Sequence, residues 1–411
     1  MRKPILLAFL ALAIPSRAAD LPPLDEVKHA LTNAPPVKES EAGIDFERSN
    51  DSMLKSGAYE YEVQMTGAQR RDYSLGQTLN EWSMQISRPV RFPGKKRLDE
   101  DLGAQGIRTA QLAHGDALHE SAKKLLGLWF AWVREKIQEN EWQSQSKLLR
   151  EEAIVVEKRV RAGDAPRLEL NLAKAASDQA AFSALQAKMR ADVAEKTLAA
   201  NFPGISLPEN PVLEDPKPLE QSFDYWKEKI LSQNHAILLA RSEARKAQIM
   251  ASRVRADRMP DPTIGIRYSS EYGGSQRVMG GVLSIPLPGD YRKAAALGAA
   301  ASAEMATQRE LDATRRVNAE VSSNYTMARA SYNGWEKSRE AAQGMTRNAE
   351  LISRAYALGE AGLGEVLASR RLAIESRLAS KLAQSEAIET RYRLMVDAHL
   401  LWDFDENTRQ Q

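Results

Sequence analysis

The chain has 411 residues, 57 Lys and Arg against 55 Asp and Glu, no cysteine, and a mean hydropathy of −0.47. A near-neutral balance gives no support for nucleic-acid binding, which normally shows a basic surplus, and the absence of cysteine excludes disulfides, thiol catalysis, Cys-ligated zinc and a thioether-linked lipid. Beyond residue 20 no run of about 18 apolar residues occurs, so no helix spans a bilayer, and composition alone describes a large, polar, helical chain.

Residues 1–18 begin with Arg2 and Lys3, continue through an apolar stretch from Pro4 to Ile14, and close on Ser16-Arg17-Ala18. That order predicts a secretory signal peptide cut after Ala18, too short for a membrane-spanning helix. Without Arg2, Lys3 and Arg17 the balance is 54 against 55, a net charge of about −1.

The remainder divides at a proline-rich linker, residues 201–218, which holds Pro203, Pro208, Pro211, Pro216 and Pro218 and is not helical. Similar landmarks flank it. Pro93-Gly94 followed by basic residues matches Pro288-Gly289, and Pro23-Leu24-Asp25 matches Pro218-Leu219-Glu220, both 195 residues apart; Val160-Arg161-Ala162-Gly163-Asp164 matches Tyr356-Ala357-Leu358-Gly359-Glu360 at 196. The spacing predicts two copies of one unit, residues 19–200 and 219–411.

In the first copy a helix is expected over 24–55, a β-hairpin over about 58–90, a very long helix over 95–162 and a return helix over 167–200. The second copy repeats the plan with helix 219–258, hairpin about 262–287, long helix 290–358 and return helix 365–400. The long segments are rich in Ala, Leu, Glu, Lys, Arg and Gln, and larger apolar residues recur at spacings of three and four, as in Leu118, Leu125, Trp129, Trp132 and Val133. Each would run about 100 Å and is stable only by packing along its side against other long helices.

The hairpins carry a period of two. Tyr59, Tyr61, Val63 and Met65 alternate with Glu60, Glu62, Gln64 and Thr66; Trp82, Met84 and Ile86 alternate with polar residues, as do Ile264, Ile266 and Tyr268. Residues 278–285 alternate less cleanly. Strands with an aromatic-rich apolar face and a charged opposite face are what a transmembrane barrel wall requires. Four strands do not close a barrel, and open edges are not tolerated in lipid, so the chain is expected to oligomerise.

These features, with Arg258-Met259-Pro260-Asp261-Pro262-Thr263 leading into a strand and Leu358-Gly359-Glu360-Ala361-Gly362-Leu363-Gly364-Glu365-Val366-Leu367 at a helix tip, resemble the TolC family of outer-membrane efflux ducts over essentially the whole mature chain. The passage Ile86-Ser87-Arg88-Pro89-Val90-Arg91-Phe92-Pro93-Gly94-Lys95-Lys96-Arg97 is similar to the heavy-metal (cobalt-zinc-cadmium type) efflux branch. The first copy departs from the family pattern, with Lys55-Ser56-Gly57-Ala58 where the second has Pro260-Asp261-Pro262.

The resemblance implies a mainly α protein with a small β-barrel portion. It would be a homotrimer whose twelve-stranded barrel sits in outer-membrane lipid of a Gram-negative cell, continuous with an α-helical duct through the periplasm. Its partners would be a periplasmic adaptor (membrane fusion) protein and an inner-membrane transporter of the RND type. The site residues implied are the adaptor-contact and gate tips, Gly163 and Asp164 in one copy and Gly359, Glu360, Gly362 and Leu363 in the other, with Tyr59, Tyr61, Val63, Met65, Trp82, Met84, Ile86, Ile264, Ile266 and Tyr268 toward lipid. No catalytic constellation, cofactor loop or metal motif is found, and no enzyme is expected; His114 and His119, five apart, do not share a helix face. Heavy-metal cations, drugs or small molecules, and type I secretion substrates all remain open as cargo. A periplasmic coiled-coil adaptor or scaffold without a channel is the alternative of a different class.

Overall fold

The computed structural model describes residues 21–74 and 76–404; the expected signal peptide at 1–18 lies outside the described residues. The chain is mostly helical, with one four-stranded antiparallel sheet. It divides into two compact units. A tip unit takes the described residues of Met1–Leu31 with Ala122–Ser222 and Asn324–Val396; a strand unit takes Thr32–Ser121, Phe223–Ser323 and the described residues of Asp397–Gln411.

The helix expected over 24–55 is two helices, α1 (Leu24–Thr32) and α2 (Pro35–Ser56). Pro35 and Pro36 cause the break: Ala34, preceding a proline, is extended at φ −63°, ψ 136°. Strands β1 (Glu62–Asp72) and β2 (Gln77–Pro89) follow, then α3 (Pro93–Arg161) and α4 (Arg167–Asn201). The helix expected over 219–258 is also divided, into α5 (Phe223–Gln233) and α6 (His235–Ala256). Asn234 sits between them and its side chain accepts a hydrogen bond from the Ile237 backbone at 3.1 Å, an N-cap that the helical periodicity conceals. Strand β3 (Thr263–Glu271), a 3-10 turn at Tyr272–Gly274 and β4 (Gln276–Ser284) lead to α7 (Asp290–Ala357) and α8 (Leu363–Asp397). The last helix stops short of 400 because the chain enters the left-handed region at His399 (φ 57°).

The tip unit is held by helix-side packing. Trp129, Phe130, Trp132, Leu125 and Leu126 of α3 are almost fully buried, and the Phe130 and Tyr392 rings lie 6.1 Å apart. Buried alanines recur every seven residues at Ala173, Ala180 and Ala187 on α4, and α7 buries Ala328, Trp335, Ala342 and Ala349 at the same interval. A seven-residue repeat of buried side chains, mostly alanine, is the coiled-coil solution for long helices, and the alanines let backbones approach closely. The proline-rich segment is strapped to this unit: Ser206 donates from its backbone nitrogen and its hydroxyl to Glu26 at 2.7 Å, and Gln384 donates to the Glu214 carbonyl at 3.0 Å.

In the strand unit α2 and α3 come so close that Gly103 is required. A Cβ there would lie 2.9 Å from the Asp51 Cα, closer than side chains pack. The sheet order is β1-β2-β3-β4, so β1 and β4 are its edges.

Candidate functional site: the apolar strand face and the helix tips

The sheet register groups the apolar residues into rows. Val63, Ile86, Ile266 and Gly281 are successive partners across the four strands, and the next row is Met65, Met84, Tyr268 and Met279. Ile264 pairs with Leu283, and the Trp82 and Tyr268 rings lie 5.7 Å apart on the same face. The opposite face presents Gln64, Gln85 and Arg267 as one row. The apolar side chains are not covered: Met65 and Met279 are 73% exposed and even Tyr268 is 36% exposed. A contiguous exposed face of this kind marks a surface that meets lipid or another protein.

Two expected strand residues fall elsewhere. Tyr59 and Tyr61 precede β1, which begins at Glu62. Tyr59 is occupied by polar partners: its hydroxyl donates to Asp261 at 2.9 Å and its carbonyl accepts from Arg88 at 2.6 Å. Burial and that bond to Asp261 push the Tyr59 hydroxyl pKa up to about 12. Tyr61 lies under the Arg88 guanidinium, 4.9 Å from its ring centre, and Tyr73, past the other end of β1, lies 5.7 Å from Arg71. Each end of β1 thus carries a tyrosine stacked against an arginine. Sequence reasoning missed Met279 and Leu283, because Val278 and Val282 on the opposite face blur the alternation of β4.

Where the strands give way to helices, six charges form a neutral set in which all but Asp257 are largely enclosed. Asp99 accepts from Arg91 at 2.8 Å and from Arg253; Asp257 accepts from Arg253 and from Lys95; Asp261 accepts from Lys95 at 3.0 Å. Lys95 is almost wholly enclosed. Burial alone would raise the pKa of Asp261, but Lys95, Tyr59 and the Phe92 backbone N–H hold it below the ordinary value. The expected Asp-Pro lead therefore anchors the strand entrance.

In the tip unit both interhelical turns use one backbone geometry. Gly163 and Gly359 each have φ 80°. The Asp164 N–H donates to the Arg159 carbonyl at 2.9 Å and Gly163 to Val160 at 3.1 Å, while Glu360 donates to Ala355 at 2.9 Å and Gly359 to Tyr356 at 3.0 Å. These are Schellman motifs, and they explain why glycine stands at both positions. Gly362 has a negative φ and open space where a Cβ would be.

The side chains at the two tips differ. The Asp164 carboxylate is engaged by Arg159 at 2.9 Å, and Arg159 also donates to the Tyr356 hydroxyl at 2.5 Å, which donates in turn to Glu169 at 3.0 Å. This network joins the ends of α3 and α7 to the start of α4. Burial, then the Glu169 bond, raises the Tyr356 pKa, and the Asp164 bond raises that of Arg159. Leu363 is 2% exposed, packed in a cluster with Ala153, Val156 and Ala173 rather than offered to a partner. Between α3, α4 and α8, a groove of about 640 Å³ is lined by Trp142, Leu149, Leu172, Ala180, Leu367 and Ile374.

The two histidines five residues apart have separate surroundings. His114 hydrogen-bonds Ser40 at 2.9 Å. His119 instead meets two residues remote in sequence, His235 and His399, with ring centres 4.8–5.7 Å apart. Spacing along one helix does not show a cluster drawn from three segments.

This combination of helices and sheet is the fold of a class of solved structures described as outer-membrane channels. The chain is similar to the Campylobacter jejuni CmeC outer membrane channel (TM-score 0.71, 14% identity, covering 94% of this chain and 87% of that one). It is likewise similar to the outer membrane protein VceC from Vibrio cholerae (0.74, 15% identity, 91% and 95%) and to a membrane protein from Pseudomonas aeruginosa (0.77, 15% identity, 91% and 89%). No family model matches the chain, and no curated protein matches it in sequence.

Proposed function

We propose that the chain is the outer-membrane channel of a tripartite efflux system, a passive duct for substrates delivered by an inner-membrane RND-type transporter and a periplasmic adaptor. The observation that carries this reading is the four-stranded sheet with one exposed apolar face and two open edges, on a fold shared with outer-membrane channels. An open edge in lipid leaves backbone groups without hydrogen bonds, so β1 and β4 must pair with other copies; three copies give a closed barrel of twelve strands, an even number. The exposed stripe Phe182, Leu185, Met189 and Val193 on α4 also supports oligomerisation, since its spacing of three and four suits a neighbouring helix. Two copies of one unit within the chain are supported by the order helix, helix, strand, strand, helix, helix on each side of the linker.

The helix tips are the proposed gate and adaptor contact. Arg159, Asp164, Glu169 and Tyr356 form a latch across three helix ends, and the apolar groove between α3, α4 and α8 is the proposed seat for the adaptor. Heavy-metal cations are the proposed cargo; that choice is supported by the passage from Ile86 to Arg97 alone.

The test is fractionation. The chain is expected in the outer membrane, extractable only with detergent and trimeric by light scattering. Release by osmotic shock as a monomer would favour the soluble scaffold instead.

A further inference from the structure

We propose that the hollow around Arg88, where the apolar strand face meets the helices, binds one anionic phospholipid per chain, with the phosphate on a basic rim and the acyl chains along the strands. The inference rests on the duct reading, which supplies the bilayer.

The hollow lies within the strand unit and has a volume of about 600 Å³, in the range of ordinary ligand pockets. One side of it is apolar. Ile86, Ile264 and Ile266 line it, and all three are exposed on the face that the sheet leaves uncovered. The other side is basic: among the described residues that line the hollow, Lys55, Arg88, Arg91 and Lys96 are cationic and none is acidic. A molecule with an anionic head and an apolar body matches both sides, whereas a free anion matches only one.

Arg88 is the residue that the fold does not account for. The register places it in the apolar face, since it is the partner of Ile264, which pairs in turn with Leu283, and it continues the alternation of Trp82, Met84 and Ile86. Its Nε donates to the Tyr59 carbonyl at 2.6 Å, and its guanidinium lies 4.9 Å from the centre of the Tyr61 ring, so its plane is fixed. No carboxylate pairs with it among the described residues. The other three cations each have one: Asp51 for Lys55, Asp99 for Arg91 and Glu100 for Lys96. Both Nη nitrogens of Arg88 are left for the paired hydrogen bonds that a guanidinium makes to a phosphate. Lys55 and Lys96, with side chains 56% and 60% exposed, add positive charge to the same rim. A charge among lipid-facing residues is costly at the bilayer midplane and tolerated near the head groups, and a basic side chain there is attracted to anionic lipid.

The test uses the purified full-length protein, delipidated in detergent, and native mass spectrometry with three probes: phosphatidylglycerol, phosphatidylethanolamine and inorganic phosphate. The expected result is one phosphatidylglycerol retained per chain, bound more tightly than phosphatidylethanolamine and not displaced by phosphate. Arg88→Gln and Lys96→Gln should each weaken that binding about fivefold, and the double variant about 25-fold, on the scale of one basic side chain at a head group. Arg267→Gln, on the opposite face of the sheet, should bind as the wild type does. Equal binding of the two lipids by the wild type overturns the proposal, as does equal retention of phosphatidylglycerol by the wild type and a folded Lys96→Gln or double variant. Displacement by inorganic phosphate overturns the lipid assignment in favour of a general anion site. Fractionation keeps the two readings apart: a wild type recovered in the outer membrane without a preference for phosphatidylglycerol removes this site and leaves the duct.

Discussion

Glu141 shows how single residues hold the long helices together. It is buried on α3 and accepts from Arg377 at 2.6 Å and Lys381 at 2.7 Å, both on α8. Burial alone would raise its pKa, but the two cations outweigh that effect and hold it below the ordinary value near 4.5. A depressed folded-state pKa contributes stability above the unfolded value, and that contribution is lost as pH falls through the folded one. Glu141→Gln is therefore expected to lower stability by about 1–3 kcal/mol at pH 7, a modest figure because both cations are partly exposed. The deficit should shrink as pH falls through and below 4.5. Unfolding curves of both proteins at pH 7 and at progressively lower pH measure it; a constant difference would show that the pairing does not carry the effect.

Tyr356 belongs to the same scale. Replacing it by Phe removes the hydroxyl that joins Arg159 to Glu169 but leaves the Arg159–Asp164 pair. If these residues latch the tips, Tyr356→Phe increases the open time of single channels, and Asp164→Ala or Glu360→Ala alters conductance or cation block. Traces identical to the wild type in all three would remove the gate assignment.

At the scale of elements, the strand face gives the clearest contrast. Met84 and Ile266 lie on the apolar face and Gln85 on the other. A lysine facing the bilayer midplane costs about 2–4 kcal/mol, whereas one facing water is tolerated. Met84→Lys with Ile266→Lys should abolish recovery from the outer membrane, and Gln85→Lys should not; equal recovery would mean that this face does not meet lipid.

The long helices, the turns at Gly163 and Gly359 and three of the four strands were legible in the sequence because each has a local signature: helix-forming composition, glycine where φ is positive, alternation. Less was legible where the signal was not local. The breaks at Pro35 and Asn234 lie inside segments whose periodicity continues across them. The Tyr59 ring has strand-like neighbours in sequence, but its hydroxyl is held by Asp261, 202 residues away. The Arg159–Tyr356 contact and the histidine cluster likewise join residues from distant segments, and no spacing rule finds such partners.

For the whole molecule, a mean hydropathy of −0.47 and the absence of a membrane-spanning helix among the described residues are compatible with a membrane channel. The surface proposed to meet lipid is confined to four short strands, while two helices of 69 and 68 residues keep the average polar. Neither strand edge closes within one chain, so function and assembly are expected to appear together: trimers conduct, and monomers do not. The direct test is single-channel recording of the purified, detergent-extracted trimer in a planar bilayer. Discrete, reproducible conductance steps that disappear when the trimer is dissociated are the predicted result. Intact trimers that insert and never conduct would contradict the account.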